Sequence, residues 1–257
     1  MSDTGLRLRR APGRRCVADN APVERPEISV VIPCLNEEDA VGAVVDQAWE
    51  GIHRSGRSGE VIVVDNASTD RTYEIASKLA AEFPDKIELR RITDTRESHF
   101  LVAGFAGSRT WAFAVDGDEI YDPAGLAKLR AELLAGKYDD WWVLFGNVLN
   151  CTAVDEAAGT AAGYLAPPCR SMTKLYNFNL IESWDGAVTH VFANGTIKFK
   201  PGYDASRRLD LHEKIKWDES HYRCLHTCFV PRSSLDQGSG MARPNVSENR
   251  RNGVTTV

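Results

Sequence analysis

Apolar and polar positions alternate in two periods along the first half of the chain. Ile28-Ser-Val-Val-Ile32 is a β-branched run that predicts a strand stopped by Pro33. After Asn36-Glu37-Glu38, apolar Ala40, Val41, Val44, Val45, Ala48 and Trp49 return at helical spacing. That spacing predicts a helix capped by Asn36, with two acids in its first turn, ending near Gly51. The pattern recurs: Glu60 to Val64 is a strand ending at Asp65, and Asn66 to Asp70 is a loop of capping residues. Tyr73, Ala76, Leu79, Ala80 and Phe83 line a second helix that ends before Pro84, and Ile87 to Ile92 is a third strand. Glu97 to about Gly107 predicts a third helix, weakened by Gly104 and Gly107. Trp111 to Val115 reads as a short buried strand, and Pro123 opens a helix bearing Leu126, Leu129, Leu133 and Leu134. Four alternations of strand and helix predict a parallel sheet with right-handed crossovers over residues 27–135.

Past Gly136 the period changes. Trp141 to Leu149 predicts one long strand, and Cys151 to Pro168 a mobile Ala-, Gly- and Pro-rich loop. Short strands are expected at Ser171 to Tyr176, Val188 to Ala193 and Thr196 to Phe199, with Asn194-Gly195 as a hairpin turn. Leu209 to Pro231 is dense in His, Trp and acids. The chain therefore divides into a flexible Arg-rich arm (1–26), a first half (27–135), a second half of the same domain (136–233) and a loose tail (234–257).

Composition narrows the function classes. The 257 residues carry a net charge of −5, with 43% hydrophobic and 26% charged residues, as in soluble globular proteins. No apolar run approaches the ~20 residues of a bilayer span, and the first ten residues lack the apolar core of a secretory signal. Six scattered cysteines without such a signal predict reduced thiols and a cytoplasmic setting. Cys224, His226 and Cys228 do not have a common zinc spacing. The acidic balance argues against broad nucleic-acid binding by the folded body. Arg7, Arg9, Arg10, Arg14 and Arg15 crowd one end, and Arg243, Arg250 and Arg251 the other. Such arms are solvated, or they touch nucleic acid or an acidic membrane surface.

The candidate chemistry lies in Asp116-Gly117-Asp118-Glu119. Two carboxylates at a strand's end can converge on one hard cation, and Gly117 permits a tight turn and close approach of a phosphate. The same tetrapeptide is also ordinary turn chemistry.

Val30-Val-Ile-Pro-Cys-Leu-Asn-Glu-Glu38, Val61-Ile-Val-Val-Asp-Asn-Ala-Ser-Thr-Asp70 and Phe113-Ala-Val-Asp-Gly-Asp-Glu119 resemble, in order, the motifs of family-2 glycosyltransferases of GT-A fold. The resemblance covers residues 27–135. It implies an α/β fold with a mostly parallel central sheet flanked by helices, and a smaller β region on the acceptor side. It also implies a nucleotide-diphosphate sugar donor (a UDP sugar by default), Mn²⁺ or Mg²⁺, and inverting transfer to an acceptor hydroxyl. Carried over residue by residue, Pro33, Asn36 and Glu37 lie against base and ribose. Asp65 accepts a hydrogen bond from the base, and Ser68 and Asp70 close that pocket. Asp116 and Asp118 hold the cation that bridges the phosphates, with Gly117 beside them. Many relatives carry an Arg-Asn pair before the acidic strand; here the segment reads Ser98-His99-Phe100-Leu101, which leaves Arg96 or His99 to serve the phosphates.

The second half must supply a base for the acceptor. Asp185, flanked by Trp184 and Gly186, is the first candidate, with Glu213 and Glu182 as alternatives and Asp210 beside them. Taken singly, each reads first as a surface acid. His226 is a candidate third metal ligand against the alternative of a satisfied core histidine, with His212 and His190 as rivals. Trp141, Trp142 and Trp217 read as core rather than as sugar platforms. Two other classes stay open. A nucleotidylyltransferase wants a glycine- and basic-rich loop where this chain has Pro33 to Glu38. A non-catalytic nucleotide-sugar-binding module would not need the intact acidic turn. The acceptor class, whether glycan, lipid, small molecule or nucleobase, is not legible.

Overall fold

The computed structural model describes residues 26–93, 97, 102–165, 174–188, 193–227, 229–230 and 255–257. The chain divides into two compact units, Met1–His99 and Phe100–Val257, whereas the change in sequence character falls near Gly136. The 1–26 arm (apart from residue 26), residues 234–254 and residues 98–101 of the expected third helix lie outside the described residues; Val102 and Ala103 are helical, and the chain turns from Gly104 to Gly107.

In the first unit, β1 (Ile28–Cys34), β2 (Gly59–Asn66) and β3 (Ile87–Ile92) form a parallel sheet in the order β1-β2-β3. Helices α1 (Val41–Ser55) and α2 (Thr72–Glu82) make the crossovers. Strand β2 is central, and Val61, Val63 and Val64 are wholly buried, which is why its sequence is continuously β-branched rather than alternating. Val45 and Ala76 close the core from the helices.

Three expectations fail here for local reasons. Pro33 does not stop β1; the strand continues to Cys34. Among the described residues β1 pairs along one edge alone, so its other edge tolerates a residue without an N–H. Asn36 does not cap α1, which starts at Val41 behind Ala40 with no side-chain cap and no acid in its first turn. The helix also passes Gly51 and ends at Ser55, with Gly56 in the left-handed region (φ 68°). Burying Ile52 to 3% exposure offsets the ~1 kcal/mol that a helical glycine costs.

The second unit is mainly antiparallel. Strand β4 (Trp111–Ala114) does not extend a parallel sheet as expected. It pairs antiparallel with β9 (Lys174–Asn177) in a four-stranded sheet with β6 (Val143–Phe145) and β12 (Arg208–Asp210), in the order β12-β6-β9-β4. Nor is it buried: Phe113 and Val115 are 38% and 53% exposed. A five-stranded sheet follows the order β14-β8-β7-β13-β5. It comprises β5 (Glu119–Tyr121), β7 (Asn147–Asp155), β8 (Thr160–Leu165), β13 (Arg223–His226) and β14 (Thr255–Thr256). Helix α3 (Pro123–Leu134) begins where expected, its N-cap Asp122 accepting from the Ala124 N–H at 3.0 Å. The short helix α4 (Leu211–Lys214) follows β12.

The expected long strand over Trp141 to Leu149 is broken at Gly146 into β6 and β7. The expected loop over Cys151 to Pro168 is largely the β7–β8 hairpin, since its small residues alternate in and out of a sheet; residues 166–168 lie outside the described set. The hairpin expected between Val188–Ala193 and Thr196–Phe199 does not form: β10 (Ile181–Val188) pairs instead with one continuous β11 (Ala193–Phe199), and Asn194-Gly195 sits inside β11, opposite Ala187 and Gly186. The end of the tail is paired: β14 joins β8, and Val257 exchanges backbone hydrogen bonds with Ala161. Among the described residues no helix is long and apolar enough to cross a membrane.

Gly146 is required where it stands. A Cβ there would lie 2.4 Å from the Tyr222 carbonyl oxygen and 2.8 Å from the Tyr222 ring. Gly146→Ala is expected to cost about 2 kcal/mol and to lower the melting temperature by ~5 °C in calorimetry, as overpacking against backbone does.

Candidate functional site

In the first unit, two loops at the carboxyl ends of β1 and β2 are stapled together. The Asn36 N–H donates to Ser68 Oγ (3.0 Å), and Asn36 Oδ1 accepts from the Thr69 N–H (2.9 Å). The Glu37 N–H donates to Thr72 Oγ1 (2.7 Å) and the Glu38 N–H to Asp70 Oδ2 (3.2 Å). In return the Arg71 N–H donates to Glu38 Oε2 (2.9 Å), while Asp70 Oδ1 accepts from Thr72 N–H and hydroxyl. Asn36 and Ala67 hold positive φ angles of 56° and 54° to bring the loops together. The capping residues of the sequence thus serve loop against loop. Pro33 is exposed at the penultimate position of β1, just before this staple.

Asp65, at the end of β2, is completely buried. Its carboxylate accepts from the Ser68 N–H at 3.3 and 3.4 Å and pairs with Arg91 Nε at 3.4 Å. Arg91 comes from β3, directly opposite Asp65 in the parallel register. Its guanidinium lies 4.5 Å from the centre of the Tyr73 ring. A groove of about 570 Å³ is lined by Ser68, Asp70, Tyr73, Glu74, Ser77 and Arg91, among others. Ser68 and Arg91, not Asp65 itself, face that groove. Arg96 and His99 lie outside the described residues.

In the second unit, the acidic turn joins β4 to β5. The Asp116 N–H donates to Glu119 Oε2 (3.0 Å), which also accepts from the Tyr121 hydroxyl (2.8 Å). Burial pushes the Glu119 carboxyl above its usual range, with a smaller push from Asp116, while the Asp116 N–H, Tyr121 and Lys174 oppose it. Gly117 has no positive φ, and a Cβ there would meet nothing within 4 Å, so the turn does not need glycine for its own shape. What the glycine leaves is open space over the turn.

His226 is brought to this turn by strand register. It pairs across the sheet with Glu119 on β5 and with Asn150 on β7. The Thr227 N–H extends the ladder to the Asp118 carbonyl at 2.8 Å. His226 is 8% exposed; Nε2 lies 3.3 Å from Asp118 Oδ2, and Nδ1 lies 2.9 Å from Asn150 Oδ1. With its Nδ1–H given to Asn150, the ring turns Nε2 toward a carboxylate. Two acceptors at that distance repel unless a proton or a cation joins them. Ligands at right angles on one divalent ion stand about 3 Å apart, so the pair fits two neighbouring positions of such an ion. Among the described residues no three His, Cys, Asp or Glu side chains are gathered for a metal. Asp118 and His226 meet; Asp116 does not complete a triad with them. Zinc at Cys224 finds no support: burial drives its thiol strongly upward, and Cys228 lies outside the described residues.

The base candidates fare unevenly. Glu182 is on the outer side of β10, ion-paired with Lys198 at 2.9 Å. Glu213 is exposed on α4, and Asp210 is held in a two-point contact by Arg208 (2.8 and 3.1 Å). Asp185 lies on β10 opposite Thr196. Trp184 does not offer a stacking face to a ligand: it is 7% exposed and stacked on Phe178 at 5.5 Å. Trp142 is likewise core, its indole N–H donating to the Ala205 carbonyl. His212 is half-buried on α4, and His190 lies outside the described residues. Arg91, Asn150 and Lys174 had no signal in the sequence beyond standing in strands, because their partners come from pairing across the sheet.

A family model described as glycosyl transferase family 2 matches residues 29–184, more than half of the chain. A dolichol-phosphate mannosyltransferase of Pyrococcus furiosus is 32% identical over 107 residues, 40% of this chain and 29% of that protein. A dodecaprenyl-phosphate galacturonate synthase of Rhizobium johnstonii is 31% identical over 118 residues, 44% of this chain and 34% of that protein. The chain thus spans about a third of the length of these curated relatives. Among solved structures, a mannosyltransferase from Pyrobaculum calidifontis in complex with GDP-Man and Mn²⁺ is similar at 18% identity and a TM-score of 0.44, over 84% of this chain and 61% of that one.

The loop staple carries its own test. Asn36→Gly removes the Thr69 contacts but keeps the left-handed backbone, whereas Asn36→Ala loses both. Thermal melts are expected to put Asn36→Ala about 1 kcal/mol below Asn36→Gly, the cost of a left-handed alanine.

Proposed function

Because the chain belongs to glycosyl transferase family 2, we propose that it transfers a glycosyl group from a nucleotide-diphosphate sugar, with inversion and with the help of Mn²⁺ or Mg²⁺. The observation that carries this reading is the Asp118–His226 pair at the acidic turn. In this reading Asp118 and His226 hold the cation, with Asp116 beside them, and Asn150 fixes the ring so that Nε2 faces it. The ion supplies neutralisation of the charge that grows on the departing diphosphate. Asp65 serves the base by holding Ser68 and Arg91 at the groove, with a uridine donor as the first choice. The loops carrying Asn36, Glu37 and Asp70 give that pocket its rigidity.

Screening nucleotide sugars for hydrolysis in Mn²⁺ tests the donor half without an acceptor. Wild-type protein is expected to release nucleoside diphosphate, to stop after EDTA and to recover with Mn²⁺. Asp118→Asn should lose about 100-fold or more in rate, as removal of a main electrostatic stabiliser does. Full turnover in EDTA-treated protein would refute the metal reading.

The acceptor divides into two classes. A hydroxyl needs a base, which Asp185 would supply. A lipid phosphate, the acceptor class in the names of the two relatives above, is already ionised at neutral pH and needs none. The lipid phosphate is favoured by those names, while Glu182 is engaged by Lys198 and Glu213 stands exposed on α4. Assaying Asp185→Asn with both acceptors separates the two. Transfer to a polyprenyl phosphate at near wild-type rate, with none to sugar hydroxyls by either protein, is the expected result; loss of all transfer would return the base to Asp185.

A further inference from the structure

One basic group at the acidic turn has no part in the chemistry above. Lys174 opens β9, is only 5% exposed, and pairs in register with Ala114, which Val115 joins to Asp116. Lysine is almost never buried this deeply without a counter-charge. Burial pulls its ammonium down, and the Asp116 and Glu119 carboxylates pull it back up. On the acid side, Glu119 Oε1 is buried with no hydrogen-bond partner among the described residues. Burial raises the Glu119 carboxyl, and the Lys174 charge is among the groups that oppose that rise.

We propose that Lys174 is the internal counter-cation of the Asp116–Glu119 turn: a positioning residue that keeps the turn folded before a divalent ion arrives and weakens the turn's grip on that ion. The inference rests on the metal reading above and concerns what sets the affinity. A fixed positive charge in a poorly screened setting repels the incoming cation and compensates the acids while the ion is away. Removing the charge should therefore tighten the ion and loosen the empty turn. A lysine that mattered only for packing would do neither, or would weaken the ion by loosening its ligands.

The test is a donor-free Mn²⁺ titration followed by electron paramagnetic resonance, paired with thermal melts in EDTA and in Mn²⁺. Lys174→Met is expected to bind Mn²⁺ about fivefold tighter than wild type, while Lys174→Arg stays within about twofold. The Met variant should melt lower in EDTA, with the gap narrowing in Mn²⁺. A folded Lys174→Met with unchanged or weaker Mn²⁺ affinity overturns the proposal while leaving the metal reading intact. Wild-type protein that binds no Mn²⁺ removes both. If Lys174→Met does not fold, the Glu119→Gln, Lys174→Met double variant decides: recovery of the fold supports the charge role, and continued failure assigns Lys174 to packing and overturns it.

Discussion

The backbone ladder β7–β13–β5 is the constraint on which the second unit's chemistry depends. Asn150, His226 and Glu119 stand in one row across three strands, β13 running parallel to β7 and antiparallel to β5. Neighbouring residues in such a row share a face of the sheet, so their side chains meet without help from a loop. A one-residue slip of β13 would turn His226 to the opposite face and leave Asp118 without it. The Thr227 N–H bond to the Asp118 carbonyl carries the ladder one step beyond β5 and fixes the end of the acidic turn. Gly163 on β8 belongs to the same design. Any side chain there would press to 2.2 Å from the Asn150 carbonyl oxygen, displacing the strand that orients the histidine.

The first unit solves a different problem with the same economy. Its sheet delivers two polar loops side by side, each with backbone N–H groups left over from strand and helix ends. The Asn36, Glu37, Glu38 and Thr69 donors are satisfied across the gap, by Ser68, Thr72, Asp70 and Asn36, while Asp70 also accepts locally from the Thr72 N–H. The consequence is a pair of helices without side-chain caps and a pair of loops with little freedom. Buried Asp65 then has a charged contact, Arg91, and a turn, at Ser68, to hold.

Where the sequence was legible, local physics decided the outcome. Strands β2 and β3, the end of α2 before Pro84 and the start of α3 at Pro123 follow from runs and punctuation that nothing distant contests. The errors fall where pairing overrides local preference. Asn194-Gly195 has turn chemistry, yet it lies inside β11 because Gly186 stands opposite and the pair suits a close strand approach. Trp184 stood beside Asp185 as an aromatic that a ligand could stack on, but Phe178 stacks on it from a 3₁₀ turn that periodicity does not show. Asp116 and Asp118 were visible as a pair, and His226 as a candidate beside them. Asn150 was not, since one asparagine in a strand has no signature until the register is known.

The acidic turn also accounts for why its acids do not converge. Asp118 is drawn to His226, Glu119 is held by the Asp116 N–H and Tyr121, and Asp116 and Glu119 both feel Lys174. Three carboxylates within four residues repel one another, and each relieves that strain through a separate partner rather than by sharing one. A gathered triad would need its charge cancelled first. Dispersed acids are therefore the stable arrangement of this turn by itself, and convergence on one ion is a change that the ion's own charge would drive. In the proposed reading the histidine, already held from behind by Asn150, needs no such rearrangement.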